Sequence, residues 1–200
     1  NNSTGSASQG NGGGLFAGGK GELEVLNSTV SGNTARYFGG GIYTGGVSKL
    51  SLQNSIVSGN AASMIAEISG PFTLLENNVL GDSSRDFSAA FLNSTFILGD
   101  ILATGNIVAS SNGDQPTALS LILEPLANNG GFSQTRALPV GSPAIDAGDQ
   151  ALCLSEVLVL DQRGKPRSDG RCDIGAYEYI EDSSCFIIKA QSAKTVVFCL

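Results

Sequence analysis

Apolar and polar residues alternate over short stretches that recur along the chain. Leu23 and Val25 flank Glu24, Leu50 and Leu52 flank Ser51, and Phe72 and Leu74 flank Thr73. A period of two puts successive side chains on opposite faces, which is the signature of a strand. Asn27 and Asn54 interrupt the pattern, and Gly32-Asn33 and Gly59-Asn60 interrupt it again. These residues tolerate left-handed backbone and mark tight bends. The chain therefore reads as short strands joined by turns, none long enough to fold alone.

The strands belong to a repeat. Gly12-Gly13-Gly14-Leu15-Phe16-Ala17-Gly18-Gly19 recurs as Gly39-Gly40-Gly41-Ile42-Tyr43-Thr44-Gly45-Gly46, and the segment Leu23 to Asn33 recurs as Leu50 to Asn60, both at an offset of 27. A weaker third copy runs from Phe72 to Asp82 at an offset of 22. A unit of this size, made of short strands, suits one coil of a parallel β-helix. The predicted class is all-β: a right-handed parallel β-helix with a C-terminal cap and a terminal β-hairpin. Stacked coils would pile Leu23, Leu50 and Phe72 into one inward column, Val25, Leu52 and Leu74 into a second, and Val30, Val57 and Val79 into a third. Asn27 and Asn54 would stack at a corner and share amide hydrogen bonds. The triple glycines suit a place where backbones bend or approach closely. An antiparallel sandwich would need hairpin turns and gives no reason for a fixed offset.

The texture changes near Leu121. Glu124-Pro125-Leu126-Ala127-Asn128-Asn129-Gly130-Gly131 leads to Gly141-Ser142-Pro143-Ala144-Ile145-Asp146-Ala147-Gly148, then Asp161-Gln162-Arg163-Gly164, then Asp173-Ile174-Gly175-Ala176-Tyr177-Glu178. This ordered set resembles the bacterial surface proteins known as choice-of-anchor Q domain proteins, with their L-x-x-N-G-G, S-P-A-I-D-x-G, D-x-R-G and D-I-G-A-[FY]-E motifs. The upstream repeats resemble the same proteins and, loosely, those of polymorphic outer-membrane proteins. The resemblance implies a secreted or surface-displayed right-handed β-helix and no reaction. With the change of texture, this gives coils over 1–120 and C-terminal coils and cap over 121–180; the last twenty residues lie beyond these motifs and read as a hairpin over 181–200.

Asp146, Asp161, Arg163, Asp173 and Glu178 fall in the motif region. As cap residues, the acids would accept backbone N–H bonds and Arg163 would pair with a carboxylate, covering the exposed edges at a β-helix end. Calcium is the alternative, since the ligands are oxygen, but EF-hand-like spacing is absent. Otherwise no cofactor or metal is expected. A carboxylate pair for glycoside hydrolysis needs a separation that sequence cannot supply.

Near the end, Cys185-Phe186-Ile187-Ile188-Lys189 and Thr195-Val196-Val197-Phe198-Cys199 flank a five-residue loop. Folding about Ser192 sets Cys185 against Cys199, Phe186 against Phe198 and Ile188 against Val196, and every pair is chemically compatible. That register favours disulfides Cys185–Cys199 and Cys153–Cys172 among the three pairings four cysteines allow. Phe186, Ile188, Val196 and Phe198 form one apolar face, with Ile187 and Val197 on the other. Such a hairpin must pack on its own chain or on a second copy, which would produce end-to-end assembly.

Composition narrows the function. Histidine is absent, which removes His-based relays and His-ligated zinc. A formal charge of −7 argues against nucleic acid and anionic membranes as partners. No apolar run is long enough to span a bilayer. Separated cysteines, even in number, in a low-charge chain suggest disulfides and an oxidising compartment. The chain starts Asn1-Asn2-Ser3-Thr4, without Met or a leader pattern, and reads as a mature or cut form. N-x-S/T triplets at Asn1, Asn2, Asn27 and Asn93 arise readily in so Asn-rich a chain and carry little weight.

The expected function is a non-enzymatic secreted or cell-surface structural protein, adhesin-like, with itself or surface glycans as partner. The alternative is a carbohydrate-active protein. Absence of Trp weighs against sugar stacking, and tyrosines such as Tyr37 and Tyr43 are scattered. Passive glycan binding along a coil face would use outward-facing Thr29, Ser31, Ser51 and Ser58.

Overall fold

A computed structural model of the chain describes residues 3–4, 10–45, 49–74, 76–81, 91–92, 105–109, 118–155, 159–167, 170–181, 185–189 and 195–199. Its strands, in chain order, are β1 (Ser3–Thr4), β2 (Leu15–Ala17), β3 (Glu22–Leu26), β4 (Thr29–Val30), β5 (Thr34–Ala35), β6 (Ile42–Thr44), β7 (Lys49–Gln53), β8 (Ile56–Ser58) and β9 (Ile68–Ser69). They continue with β10 (Phe72–Leu74), β11 (Val79–Gly81), β12 (Phe91–Leu92), β13 (Ile107–Val108), β14 (Leu126–Ala127), β15 (Thr135–Arg136), β16 (Cys185–Lys189) and β17 (Thr195–Cys199). One short helix, α1 (Gln150–Cys153), and a 3-10 turn at Leu119–Leu121 lie between β13 and β16. Among the described residues nearly all of the regular structure is strand and almost none is helix, as expected.

Three parallel sheets dominate, ordered β10-β7-β3, β13-β11-β8-β4 and β12-β9-β6-β2. Each draws one strand from each successive stretch of chain. Leu23 faces Leu50 and Leu50 faces Phe72; Val25 faces Leu52 and Leu52 faces Leu74. The first two expected columns are thus present as backbone partners. The third is present only in part. Val30 pairs with Val57, but Val57 pairs with Leu80, and Val79 pairs with Ile56. One extra residue causes the slip: a single residue separates Leu52 from Asn54, whereas Leu75 and Glu76 separate Leu74 from Asn77. A one-residue shift exchanges the faces of a strand.

Val25, Val30, Ile42, Leu50, Leu52, Val57, Ile68, Leu80, Phe91 and Val108 form the main core. Ile56 and Val79 lie on the other face of their sheet, where they pack against Ile122, Leu138, Ala144 and Ile174. Both faces of that sheet are buried, so β8 reads as an unbroken buried run.

The bends follow the expected chemistry. Asn27, Asn54 and Asn77 adopt φ of 42°, 50° and 59°. The triple glycines run side by side, with Gly14 N donating to Gly40 O at 3.1 Å. A Cβ on Gly14 would sit 2.7 Å from Gly41 O, so this approach requires residues without side chains.

The C-terminal stretch differs from expectation. Among the described residues of 121–181 no further parallel strand occurs; β14 and β15 pair antiparallel, and Leu160 makes an antiparallel bridge to Pro166. Polar and glycine-rich turns there replace the period-two pattern that builds coils. β16 and β17 form the expected antiparallel hairpin, with Cys185 opposite Cys199, Phe186 opposite Phe198 and Ile188 opposite Val196. The side chains of these residues, and so the expected second disulfide and the apolar assembly face, lie outside the described residues.

Candidate functional site

The motif acids each fold their own loop before they meet. Asp161 Oδ1 accepts from Arg163 N at 2.8 Å and Lys165 N at 2.9 Å, closing a tight turn that Gly164 completes at φ 80°. Asp161 Oδ2 accepts from Arg163 Nε at 2.8 Å and from Glu178 N at 3.1 Å. Arg163 Nη2 lies 2.7 Å from the same oxygen and donates to Glu178 O at 2.5 Å. Its guanidinium carbon sits 3.6 Å from the ring centre of Tyr177. Burial pushes the Asp161 carboxyl up, but N–H donors from Lys165 and Glu178 and the Arg163 guanidinium outweigh it and hold it below the usual range.

Asp173 ties two loops together. Its Oδ1 accepts from Asp146 N at 2.8 Å, and its Oδ2 accepts from Tyr179 N. Asp146 occupies left-handed backbone at φ 57° and is itself exposed, 4.0 Å from Arg171. Burial raises Asp173 to about 6; the N–H bonds from Asp146 and Tyr179 lower it, the Asp146 charge raises it further and Arg167 opposes that.

Sequence reasoning missed Arg167. This buried side chain donates Nη1 to Glu178 Oε2 at 2.6 Å and Nη2 to Gly175 O at 2.6 Å. Glu178 Oε2 also accepts from Asp173 N at 3.1 Å. A signal was present: four acids in the motifs share one motif arginine, and buried carboxylates require cations or several donors. Asp161, Arg163, Asp173 and Glu178 are therefore brought into one network. Asp146 joins it through its backbone, not its carboxylate.

The expected position of these residues, over an open end, does not describe their bonds. The segment lies along the bends that follow β3, β7 and β10. Asn54 Oδ1 accepts from Asp149 N at 2.7 Å, Gly175 N donates to Asn54 O at 2.8 Å, and Asn77 Nδ2 donates to Ala147 O at 2.8 Å. Ala176 N donates to Thr29 Oγ1 at 3.0 Å. The reason is geometric: left-handed bends turn backbone carbonyls and amide side chains outward, and a loop segment supplies matching groups. The Cys153–Cys172 disulfide, expected from the hairpin register, anchors this contact, with Asn54 Nδ2 3.4 Å from Cys153 Sγ.

The corner asparagines consequently bond to the C-terminal segment and not to each other. The amide ladder runs through other columns. Asn78 Nδ2 donates to Asn106 Oδ1 at 3.0 Å, and Ser55 N donates to Asn78 Oδ1 at 3.0 Å. Asn33 Nδ2 donates to Asn60 Oδ1 at 3.0 Å, and Asn60 Nδ2 donates to Glu67 Oε2 at 2.6 Å. The repeat of Asn33 at Asn60 was the available signal; Glu67, buried in register with Gly41 and Gly14, had none.

A half-open polar cleft of about 280 Å³ lies between the β4 stretch and the C-terminal segment. Thr29 and Ser31 line one wall, and Gln134, Arg136, Gln162 and Tyr177 the other. The expected outward polar strip is not exposed here: Ser31 and Ser58 are buried, and Thr29 is bonded to Ala176, because the C-terminal segment covers that face. Ser51 is half-buried. Tyr43 stacks on Phe16 with ring centres 5.5 Å apart, while Tyr37 lies under Arg36.

Among the described residues no three acidic or cysteine side chains converge to hold a metal, and no helix is long and apolar enough to cross a membrane. No family model, no curated protein and no solved structure matches the chain.

Proposed function

We propose that the three parallel sheets are the faces of one right-handed parallel β-helix, and that the chain is a non-enzymatic structural module of a secreted or cell-surface protein. Pairing at a repeated offset, five residues long between β3 and β7, supports the coil. The disulfide is compatible with an extracellular location. The ordered motifs that resemble choice-of-anchor Q domain proteins support the same assignment.

One observation carries the structural role. Asp161 and Asp173, and Oε2 of Glu178, accept from backbone N–H groups and guanidinium donors that join one loop to another. Acids used in this way organise a fold; a catalytic acid or base must instead reach a substrate proton. Calcium is not needed to balance Asp161 or Glu178, since Arg163 and Arg167 do so.

The test is incubation of the full chain with a panel of neutral and acidic polysaccharides at neutral pH, with and without calcium. No release of reducing ends or unsaturated uronates is expected. Cleavage of any polymer would overturn the non-enzymatic assignment.

A further inference from the structure

β3 is the outer strand of its sheet: among the described residues it pairs with β7 and with no strand on its other side. Backbone groups of a strand point to alternate sides, residue by residue. Gly21 O accepts from Lys49 N and Asn27 N donates to Gln53 O, so the groups of Glu22, Glu24 and Leu26 point outward, away from β7. Ser28 Oγ takes up Leu26 O at 2.7 Å. Among the described residues the core behind this edge is not closed. Leu15 and Leu23 are half-buried, whereas Ile42 and Leu50, their partners one strand further in, are 0% and 1% exposed. Phe16 stacks on Tyr43 and is otherwise 62% exposed. Apolar side chains beside an open strand edge mark a place where another strand adds.

The chain carries a strand that fits. β16 and β17 have five residues each, as β3 has, and among the described residues they pair only with each other. A hairpin of two strands is marginal in water, and a third strand stabilises it. We propose that β16 of a second copy adds to the open edge, antiparallel to β3. Lys189 then stands opposite Glu22, Ile188 opposite Leu23 and Phe186 opposite Val25. This repeats the pattern that β7 sets on the inner side, where Lys49 stands opposite Glu22 and Leu50 opposite Leu23. In the other three full-length pairings of a hairpin strand with β3, Glu22 faces Cys185, Thr195 or Cys199, none of them a cation. Within the single chain neither hairpin strand joins the β3 sheet, so the donor is another copy. Hairpin and edge are different surfaces, so the contact is heterologous and association continues until it closes on itself. The proposal rests on the pairing of β3 with β7 and not on the lack of an activity. Polysaccharide cleavage would leave it standing, and a monomeric chain would leave the non-enzymatic role standing.

The experiment is light scattering of the full chain from micromolar to millimolar concentration, joined to isotope-filtered nuclear Overhauser spectra of a mixture of ¹⁵N-labelled and ¹³C-labelled copies. Mass that rises with concentration is expected, with cross-peaks between copies that join Ile188 to Leu23 and Phe186 to Val25. The Glu24 amide should gain protection from hydrogen exchange as the chain associates. Glu24→Pro removes an outward N–H without touching a bond to β7, and should weaken association about tenfold or more. Lys189→Glu lies outside the sheets of the coil and should weaken association about threefold to tenfold at low salt, with recovery when Glu22→Lys is added. A chain that stays monomeric at every concentration would overturn the proposal. So would association whose cross-peaks involve other strands, or the same cross-peaks arising within one copy. A Lys189→Glu variant that associates as well as the native chain at low salt would overturn the register.

Discussion

Asn54 is the residue on which the docking of the C-terminal segment turns. It is fully buried, sits at φ 50°, and brackets Asp149 with two side-chain bonds: Oδ1 from Asp149 N at 2.7 Å and Nδ2 to Asp149 O at 3.3 Å. Asn54→Ala loses both bonds and also places a Cβ-bearing residue without a local hydrogen bond in left-handed backbone. The bonds contribute roughly 1 kcal/mol each, and left-handed backbone costs about 1–2 kcal/mol. The expected destabilisation is therefore about 3–4 kcal/mol. Asn54→Gly relieves the backbone cost and should lose about 2 kcal/mol. Asn27 is the internal control. It shares the left-handed backbone at φ 42°, but among the described residues its side chain makes only long sulfur contacts, 3.8 Å from Cys153 Sγ. Asn27→Gly should stay within about 0.5 kcal/mol of the native chain. Urea unfolding followed by far-UV circular dichroism gives all three values, with unchanged slopes confirming a common unfolded state. If Asn54→Gly proves as stable as Asn27→Gly, the corner bonds do not hold the segment and the account of its docking is wrong.

Other consequences are as specific. Reducing Cys153–Cys172, which are 19 residues apart, should cost about 3 kcal/mol, read as a lower urea midpoint in dithiothreitol and reproduced by the Cys153→Ala/Cys172→Ala double variant. Arg167→Met strands the buried Glu178 carboxylate and should cost about 3–5 kcal/mol; a smaller loss than for Arg163→Met would show that the Arg167 pair is not the deeper one. Burial raises the Asp173 carboxyl from its ordinary 3.8 to about 6 in the folded chain. Its stabilising contribution is therefore complete below pH 4 and is lost as pH rises through about 6, a change of about 3 kcal/mol. The pH dependence of unfolding should flatten over that window in Asp173→Asn. Asp161, held low, works in the opposite sense and loses its contribution only as pH falls below its ordinary value. Gly40→Ala should destabilise strongly, because a Cβ would press on backbone of Ala61 and Ala66, while Gly21→Ala meets open space and should be neutral in the same thermal melt.

Much of the strand arrangement was readable from the residues because it depends on local pattern. Alternation around Glu24 and Ser51 marks strands, and a shared offset aligns Leu23 with Leu50 without knowledge of any distant contact. The third column failed for a countable reason, the extra residue before Asn77, which moves Leu80 and not Val79 beside Val57. The candidate site was readable in part. The motif acids were found, and Asp161 with Arg163 form the expected pair. Their placement was not, because it depends on which surface the segment meets, and no periodicity encodes that Asp149 seeks Asn54. Arg167 was missed because its partners lie far from any repeating position; Glu67 bonds to the repeat residues Gly59 and Asn60 but stands where the earlier copies carry glycine, so no pattern announces it. The cleft likewise exists only where two distant segments meet.

Inter-strand nuclear Overhauser contacts test the coil most directly. Backbone amide and Hα protons of β3 should give cross-peaks to β7 in parallel register, Leu23 with Leu50 and Val25 with Leu52, and β8 should do so with β11, Val57 with Leu80. Antiparallel cross-peaks, or β3 lying beside any strand other than β7, would contradict the stacking on which the fold, the docked segment and the cleft all depend.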